Sequence, residues 1–308
     1  MAFGSQTYNA GNFRRESLLS ILKDVSPNTD NYLTSNLGTG PVATNTLHEW
    51  TTYNTARPTS VTTVIEGADA SYADLEHPVR TFNVTSIVTE PVKVSATMKA
   101  VSVATGEDPY AFQKEKALKR LKAKMEWLTI NGALATGASG VARQVTGIDG
   151  MISTNVTART SGTSFSEIEL NDIMQDVWSN VGKEYLSDIL VCPMVISRRI
   201  SGFTSNLTRN IDAKEKRLSS QIRVYDTQVG NSLMIVPHQD VRAAAGTLTV
   251  YALREDTWKH SFLKGREPQW EELAKTGDSD NGQYVAEFTV VGYAQRASAK
   301  RTGYAVTL

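Results

Sequence analysis

The sequence predicts an α+β protein, and three observations support this prediction. Apolar and polar side chains alternate from residue 82 to residue 100, which indicates extended strand. Residues 109–131 show the apolar spacing of a long helix instead. No strand–helix–strand unit repeats along the 308 residues, so we expect the strands to pair mainly with near neighbours in the chain.

Composition excludes several classes of protein. The chain carries 32 basic and 32 acidic side chains, a balance that argues against a general nucleic-acid-binding protein. Its single cysteine excludes a disulfide framework and a cysteine-based zinc site. No apolar run approaches the ~20 residues of a membrane-spanning helix, and the N-terminus lacks the pattern of a signal peptide. We therefore expect a protein made in a reducing cytoplasm, with no membrane partner and no cofactor.

The first 60 residues differ from the rest of the chain. They contain few apolar side chains and show no sustained periodicity. Such a segment cannot bury itself, so it is expected either to be disordered or to lie as an arm along another surface. Leu47, Trp50 and Tyr53 are its candidate anchors.

The alternating stretch is too long for an ordinary strand. Eight of the ten even-numbered positions from 82 to 100 are apolar. Roughly 20 residues at ~3.3 Å each would extend ~60 Å, which is wider than a compact domain of this mass. We therefore predict a β-hairpin arm that projects from the body, with Pro91 at a break or an edge position.

A long helix follows this stretch. Asp108 is a good N-cap and Pro109 suits the first helical turn. Six basic side chains crowd the outer faces of the helix, which can extend to Asn131. Two pairs of opposite charge four residues apart support it, and they are Glu115 with Lys119 and Lys122 with Glu126.

The remaining elements are shorter. Glycines mark a flexible connector from 137 to about 164, and a capped helix follows over 166–182. Residues 188–192 form a buried strand ending at Cys192, which we interpret as a small apolar side chain. Further elements are predicted as a helix at 194–203, a hairpin of 221–226 with 232–236, and strands at 247–253, 258–263, 269–274 and 283–293.

No pattern of an enzyme site or a metal site is present in the sequence. The chain lacks a Gly-x-Ser-x-Gly nucleophile motif, a phosphate-binding loop and a calcium loop. Its four histidines, His48, His77, His238 and His260, have no evident nucleophile or metal-ligating partner. We therefore predict a protein that is not an enzyme.

Charge is segregated along the neutral chain. Residues 61–90 carry a net charge of −4, the predicted helix 109–131 carries +4, residues 198–223 carry +5 and residues 267–287 carry −5. Each segment alone is ordinarily a solvated face. Together with a projecting hairpin and a rod-like helix, they suggest a subunit whose acidic parts dock on basic parts of its neighbours.

Several segments, in order along nearly the whole chain, resemble tailed-phage major capsid proteins with the Hong Kong 97-type fold. The segments are Thr44–Trp50, Val64–Ala70, Ile200–Thr204, Thr208–Ala213 and, after Trp258, Glu272–Ser279.

The resemblance implies a division of the chain into the parts of that fold. These are an N-terminal arm at 1–57, an extended hairpin (E-loop) at 58–104, a peripheral domain at 105–159 with the spine helix 109–131, an axial domain at 160–253, and return strands of the peripheral domain with a C-terminal segment at 254–308.

The function that the resemblance implies is assembly. The chain would be a major capsid protein of the virion that forms pentamers and hexamers, and these would close an icosahedral head around packaged double-stranded DNA. Assembly would take place in the host bacterial cytoplasm, and scaffolding, portal and decoration proteins are further partners that such a head allows.

Two sets of residues are candidates for these contacts. We predict that the acidic hairpin tip meets the spine helix of a neighbouring copy, and that basic residues of the arm and of the axial domain face DNA phosphates without sequence specificity. The inter-subunit candidates are Glu66, Asp69, Asp74, Glu76, Lys116, Lys119 and Arg120. The DNA-facing candidates are Arg14, Arg15, Arg198, Arg199, Lys214, Lys216 and Arg217.

Two other functions stay open. An encapsulin-type compartment would use the same fold to enclose a cargo enzyme. A monomeric hydrolase or carbohydrate-binding β protein would instead need a deep pocket lined by His238 or His260, with a perturbed histidine pKa.

Overall fold

The computed structural model describes residues 31–53, 58, 60–69, 77–101, 108–203, 223–241, 246–275 and 277–306. The helices are α1 (Tyr32–Asn36), α2 (Ala96–Ala100), α3 (Pro109–Asn131), α4 (Ile148–Met151), α5 (Glu167–Val181) and α6 (Met194–Ser201). The strands are β1 (Gly38–Thr39), β2 (Leu47–Thr52), β3 (Val79–Val84), β4 (Ser86–Ser95), β5 (Val156–Thr163), β6 (Ile189–Cys192), β7 (Val224–Asp226), β8 (Ser232–Pro237), β9 (Thr247–Leu253), β10 (Trp258–Phe262), β11 (Gln269–Leu273), β12 (Ser279–Gly292) and β13 (Ala299–Ala305).

Two sheets make up most of the described structure, and one of the two main apolar cores takes side chains from both sheets. In the five-stranded sheet, the long strand β12 pairs with β4 on one side and with β10 and β11 on the other, and β1 adds to β10. Helix α3 packs against this sheet through buried side chains such as Leu121 and Met125. The six-stranded sheet has the order β5-β13-β9-β6-β8-β7, and helices α5 and α6 cover a second core on it.

The alternating stretch forms strand as predicted as far as Ser95, but it is not a projecting arm. The strand prediction is wrong for residues 96–100, which form helix α2, because the Ser95 side chain caps a helix there by accepting from the Met98 backbone N–H. Within β4, buried and exposed positions alternate over all ten residues, and the whole strand pairs antiparallel with β12. Pro91 lies at an exposed position of this edge strand, where proline is tolerated. The alternation of apolar and polar residues also covers β3, although β3 belongs to another sheet. Such an alternation indicates which side chains are buried, but it does not show which strand is the partner.

The two-stranded ribbon consists instead of β2 and β3. Leu47 pairs with Val84 at one end and Thr52 pairs with Val79 at the other. Strand β2 lies inside the segment assigned from the sequence to the N-terminal arm, so the ribbon starts before residue 58. The division of the chain into domains stays a prediction.

Helix α3 begins and ends where the sequence predicted. The Asp108 carboxylate accepts a hydrogen bond from the Tyr110 backbone N–H (3.0 Å), Pro109 is the first helical residue, and the helix ends at Asn131. Gly132 follows because a Cβ there would lie 2.4 Å from the Val145 carbonyl oxygen. This close approach turns the chain back toward the sheet.

The prediction of a flexible connector up to residue 164 is wrong. This stretch contains α4 and β5, and β5 pairs in parallel with the distant strand β13. The expectation of mainly local pairing also fails at β6 and β8, which are parallel and joined through α6. A partner more than 100 residues away leaves no periodic signal in the local sequence.

The remaining predicted elements are confirmed. Helix α5 is capped by Ser166, whose hydroxyl accepts from the Glu169 N–H, and it closes at Gly182 with a φ of 73°. Strands β7 and β8 form the predicted hairpin. No helix in the described ranges is long and apolar enough to cross a membrane.

Candidate assembly surfaces

The connection between β2 and β3 exposes a cluster of aliphatic side chains. Val61, Val64 and Ile65 are 77–85% exposed, and Glu66 and Asp69 follow them at the surface. Clustered exposed aliphatic residues indicate a surface that a partner covers. The other two acidic candidates of this tip, Asp74 and Glu76, lie outside the described residues.

The basic side of α3 is partly neutralised within the subunit. The Lys119 ammonium group lies 2.9 Å from the Glu115 carboxylate, which confirms that predicted pair. Lys116 lies over the Phe112 ring at 4.5 Å. Arg120 reaches the Glu90 carboxylate at 3.4 Å, so its charge is already balanced inside the subunit.

Glu90 belongs to this intramolecular pairing and not to the acidic tip. Its side chain is nearly buried between β4 and α3, where Lys124 approaches it at 2.6 Å and Arg120 at 3.4 Å. Glu90 contributes to the net charge of −4 on residues 61–90, but this charge is not available at the surface because the side chain is nearly buried. The acidic charge that the structure exposes on this connection is that of Glu66 and Asp69.

The predicted pair of Lys122 with Glu126 does not form, because Glu126 is fully buried. The Glu126 carboxylate accepts hydrogen bonds from the backbone N–H groups of Leu33 (2.8 Å) and Thr34 (2.6 Å), the first turn of α1. It also accepts from His238 Nε2 at 2.8 Å, while His238 Nδ1 accepts from the Asp240 N–H. These contacts fix a neutral histidine with its proton on Nε2.

The Glu126 network joins three distant parts of the chain. Burial opposes ionisation of Glu126 most strongly, but the hydrogen bonds from His238, Thr34 and Leu33 together hold its pKa below the ordinary value. Sequence analysis missed this network, since a glutamate among lysines on a helix looks like a surface residue. The apolar neighbours Met125 and Ile130 are the local signal that its face is buried.

A second buried carboxylate, Glu287 in β12, also joins separate segments. It accepts a hydrogen bond from the Thr85 hydroxyl at 2.7 Å and from Arg143 at 2.8 Å, and Arg266 lies at 3.2 Å. The two arginine guanidinium groups offset the free-energy cost of removing the Glu287 carboxylate from water. The loop that carries Arg143 is thereby fixed against the sheet.

Neither buried histidine lines a substrate site. His260 lies beside Thr129 (3.0 Å) and the Phe288 ring, and burial lowers its pKa to about 4. The better-formed surface cavities among the described residues, of about 260–490 Å³, contain neither His238 nor His260 in their linings. Cys192 is fully buried, and burial raises the pKa of its thiol to about 12. The described residues include no cluster suited to a metal ion.

The DNA-facing candidates are only partly described. Arg198 and Arg199 occupy the last turn of α6, with Arg198 exposed and Arg199 half-buried. Arg14, Arg15, Lys214, Lys216 and Arg217 lie outside the described residues. The structure therefore does not test whether these groups share one surface.

The two sheets, the two-stranded ribbon and the long helix α3 define the Hong Kong 97-type fold. The capsid protein of the cyanophage A-1(L) capsid asymmetric unit shares this fold with a TM-score of 0.68 at 11% identity, over 99% of this chain and 100% of that chain. A capsid of a native GTA particle gives 0.65 at 12% identity, over 99% and 100%. The encapsulin SrpI of Synechococcus elongatus PCC 7942 gives 0.59 at 13% identity, over 99% and 98%.

The family is shown by the sequence. The model of the SU10 major capsid protein family matches residues 4–305, so the chain belongs to that family. No curated protein matches the sequence. The protein is therefore a shell-forming capsid subunit and a virion component, as the resemblance implied.

The buried histidine predicts a loss of stability in acid. Between pH 6.5 and about 4 the unfolded chain protonates the residue 260 imidazole while the folded chain does not, so stability is full above pH 6.5 and falls as the pH drops to about 4. The loss can reach about 3 kcal/mol. Glu126 adds a further loss as the pH falls through its lowered pKa.

Urea unfolding of unassembled subunits between pH 7.5 and 4 measures this effect. In His260→Gln, which keeps a polar group beside Thr129, we expect a shallower decline over the same interval. His77→Gln is the matched control, since His77 is exposed to solvent. Equal slopes for wild type and His260→Gln would contradict the assignment.

Proposed function

We propose that this capsid subunit forms pentamers and hexamers that close an icosahedral head around packaged double-stranded DNA, and that it catalyses no reaction. The observation that carries the proposal is a two-stranded ribbon whose connection exposes aliphatic and acidic side chains, in a chain that belongs to a major capsid protein family. Clustered exposed aliphatic side chains of this kind mark a surface at which a partner binds.

The partner proposed here is another copy of the chain. When one surface of a subunit binds a different surface of the next copy, the contacts are head-to-tail. Such contacts form closed rings when the rotation between neighbouring subunits divides evenly into a full turn. Assembly in the host bacterial cytoplasm and the participation of scaffolding, portal and decoration proteins belong to the same proposal.

Electron microscopy of the expressed protein, with extraction of the particle contents after nuclease treatment, tests the head. We expect closed shells with pentameric and hexameric units, and nuclease-protected double-stranded DNA in particles from infected cells. Shells that contain a protein cargo and no nucleic acid would favour the encapsulin-type alternative. A monomer under all assembly conditions would contradict both.

Charge reversal on α3 tests its role in contacts between copies. We expect Lys116→Glu with Lys119→Glu to lower particle yield about tenfold, because acidic Glu66 and Asp69 would then meet like charge. Loss of the exposed pair of Lys119 with Glu115 should destabilise the subunit by only about 0.5–1 kcal/mol. Arg120 is left unchanged, since a glutamate there would face Glu90 inside the subunit.

The matched control for this variant is Lys183→Glu with Lys264→Glu, which makes the same change of charge at exposed positions away from α3. We expect its particle yield to match the wild type. Equal yields from the two double variants, as measured by sedimentation, would refute the role of α3.

The DNA-facing role of Arg198 has its own test. Because each phosphate contact contributes about 0.9 to the slope of log K against log salt, Arg198→Ala should reduce that slope by about one for capsomers binding double-stranded DNA. Arg296→Ala removes the same charge from another exposed position and should leave the slope unchanged. Identical slopes for the two variants would remove Arg198 from the proposed DNA-facing surface.

A further inference from the structure

Strands β8 and β7 carry an exposed apolar strip at one edge of the six-stranded sheet. Met234 on β8 pairs with Val224 on β7, and their side chains are 43% and 56% exposed. Both side chains point to the same face of the sheet, because directly paired residues share a face. We call these two side chains the β7–β8 strip.

The β7–β8 strip continues a row of side chains that is buried further inside the sheet. On β9, β6, β8 and β7 this row consists of Leu253, Ile189, Met234 and Val224. Leu253 and Ile189 are buried in the apolar core that also contains Leu33 of α1. The cover of this face therefore ends between β6 and β8, and the last two positions of the row are exposed.

Helix α1 lies at the end of this cover. The Tyr32 hydroxyl group lies 3.8 Å from the Met234 sulfur atom. Tyr32 is the first residue of α1, so the segment that precedes α1 in the chain reaches it beside the β7–β8 strip.

One stretch of the polar N-terminal segment is rich in apolar residues. Five of the eight residues from 18 to 25 are apolar, namely Leu18, Leu19, Ile21, Leu22 and Val25. Their spacing places all five on one side of an α-helix. These residues lie outside the described part of the chain, and the helix is a prediction from the sequence. A helix of about ten residues is not stable alone in water, so its apolar side needs a surface on which to pack.

The connection between this predicted helix and α1 is short. Six residues, Ser-Pro-Asn-Thr-Asp-Asn at 26–31, separate Val25 from Tyr32. At most about 25 Å can therefore lie between the Cα atoms of Val25 and Tyr32. The turn-forming residues of this connection favour a reversal of the chain. Because neighbouring strands are about 5 Å apart, the predicted helix reaches the β7–β8 strip within its own subunit and needs no second copy.

Residues 204–222 also end next to the strip, since Val224 follows them closely. Only five of these nineteen residues are apolar, and four are basic. The stretch 18–25 is therefore the better apolar partner for Met234 and Val224.

Acidic groups next to the strip suit the one basic side chain of residues 16–25, which is Lys23. Burial raises the pKa of the Tyr32 hydroxyl group, and the carboxylates of Glu255 and Asp188 raise it further. These two carboxylates therefore act on the region where α1 meets the strip. Lys23 lies at the border of the predicted apolar side, from which a lysine extends along the apolar surface and keeps its ammonium group in contact with water and acidic partners.

We propose that residues 16–25 form an amphipathic helix that packs on Met234 and Val224 of the same subunit. The helix extends the cover of this sheet face from α1 to the edge strand β7. The inference concerns contacts inside one chain, so it does not depend on the proposed assembly into a shell. It places the DNA-facing candidates Arg14 and Arg15 directly before a helix that is fixed to the six-stranded sheet.

Engineered cysteines test which side of the helix meets the strip. Two double variants of the full chain, Leu22→Cys with Val224→Cys and Ser20→Cys with Val224→Cys, are oxidised mildly as unassembled subunits. The native Cys192 is fully buried and does not interfere. Leu22 is on the predicted apolar side and Ser20 is on the polar side. We therefore expect at least about tenfold more internal disulfide in the first variant.

The control pairs each N-terminal cysteine with Val156→Cys on β5, the opposite edge of the same sheet, and should give only background cross-linking. Equal internal cross-linking of positions 20 and 22 with position 224, or none, would overturn the proposal. A disulfide that forms only between a copy with Leu22→Cys and a copy with Val224→Cys would assign the helix to a neighbouring copy and would also overturn it. The proposed function would stand in each case.

Amide hydrogen exchange of the free subunit gives a second measurement. We expect residues 17–24 to exchange at least about tenfold more slowly in the wild type than in Met234→Asp, because the helical hydrogen bonds form only while the helix is packed. Unchanged exchange in α3 shows that the variant is folded. Val156→Asp makes a similar change at a similarly exposed strand position and should leave exchange at 17–24 as in the wild type.

Two results of the exchange measurement would contradict the proposal. Equal exchange at 17–24 in the wild type and in Met234→Asp would overturn it. Faster exchange at residues 204–222 in Met234→Asp, with 17–24 unchanged, would assign the strip to that segment and overturn it as well.

Discussion

Strand β12 is the constraint on which the peripheral part of the subunit depends. Its fourteen residues pair with β4 along one side and with β10 and β11 along the other. Eight consecutive positions from Val285 to Gly292 are buried, because the strand is covered on both faces. A shift of this strand by one residue would turn Glu287 away from Thr85, Arg143 and Arg266 and leave a buried carboxylate without partners. The edge of β4 is therefore held in a fixed position relative to α3.

Two buried carboxylates fix the segments that lie around this sheet. Glu126 joins α1 and His238 to helix α3, and Glu287 holds Arg143 and Arg266 against β12. Each carboxylate has lost its water and would be strongly destabilising without these partners. Because these charges are neutralised inside the subunit, they are not available for contacts with neighbouring copies. The equal numbers of acidic and basic side chains, 32 of each, therefore include charges that pair inside the subunit and do not reach its surface.

Local sequence patterns predicted most of the helices and strands, because they depend on burial along a single segment. The cap at Asp108 and the alternation within β4 are examples. What the sequence could not predict depends on distant partners. The alternation crosses from β3 into β4 although the strands belong to different sheets, and the pairing of β5 with β13 connects segments about 140 residues apart. The buried state of Glu90 and Glu126 has the same origin, since their polar partners come from other parts of the chain.

Under the proposed function, the exposed aliphatic residues between β2 and β3 make apolar burial a larger contribution to assembly than charge. Arg120 and Lys124 already neutralise Glu90, so a neighbour's Glu66 gains less from α3 than the net charge of +4 on residues 109–131 suggests. Exposed Val64 and Ile65, by contrast, have no compensating contact among the described residues and gain free energy whenever they are buried. In the proposed assembly, we expect charge to select orientation and the burial of Val64 and Ile65 to contribute affinity. A lattice held in this way should resist moderate salt and weaken on cooling, as apolar burial does.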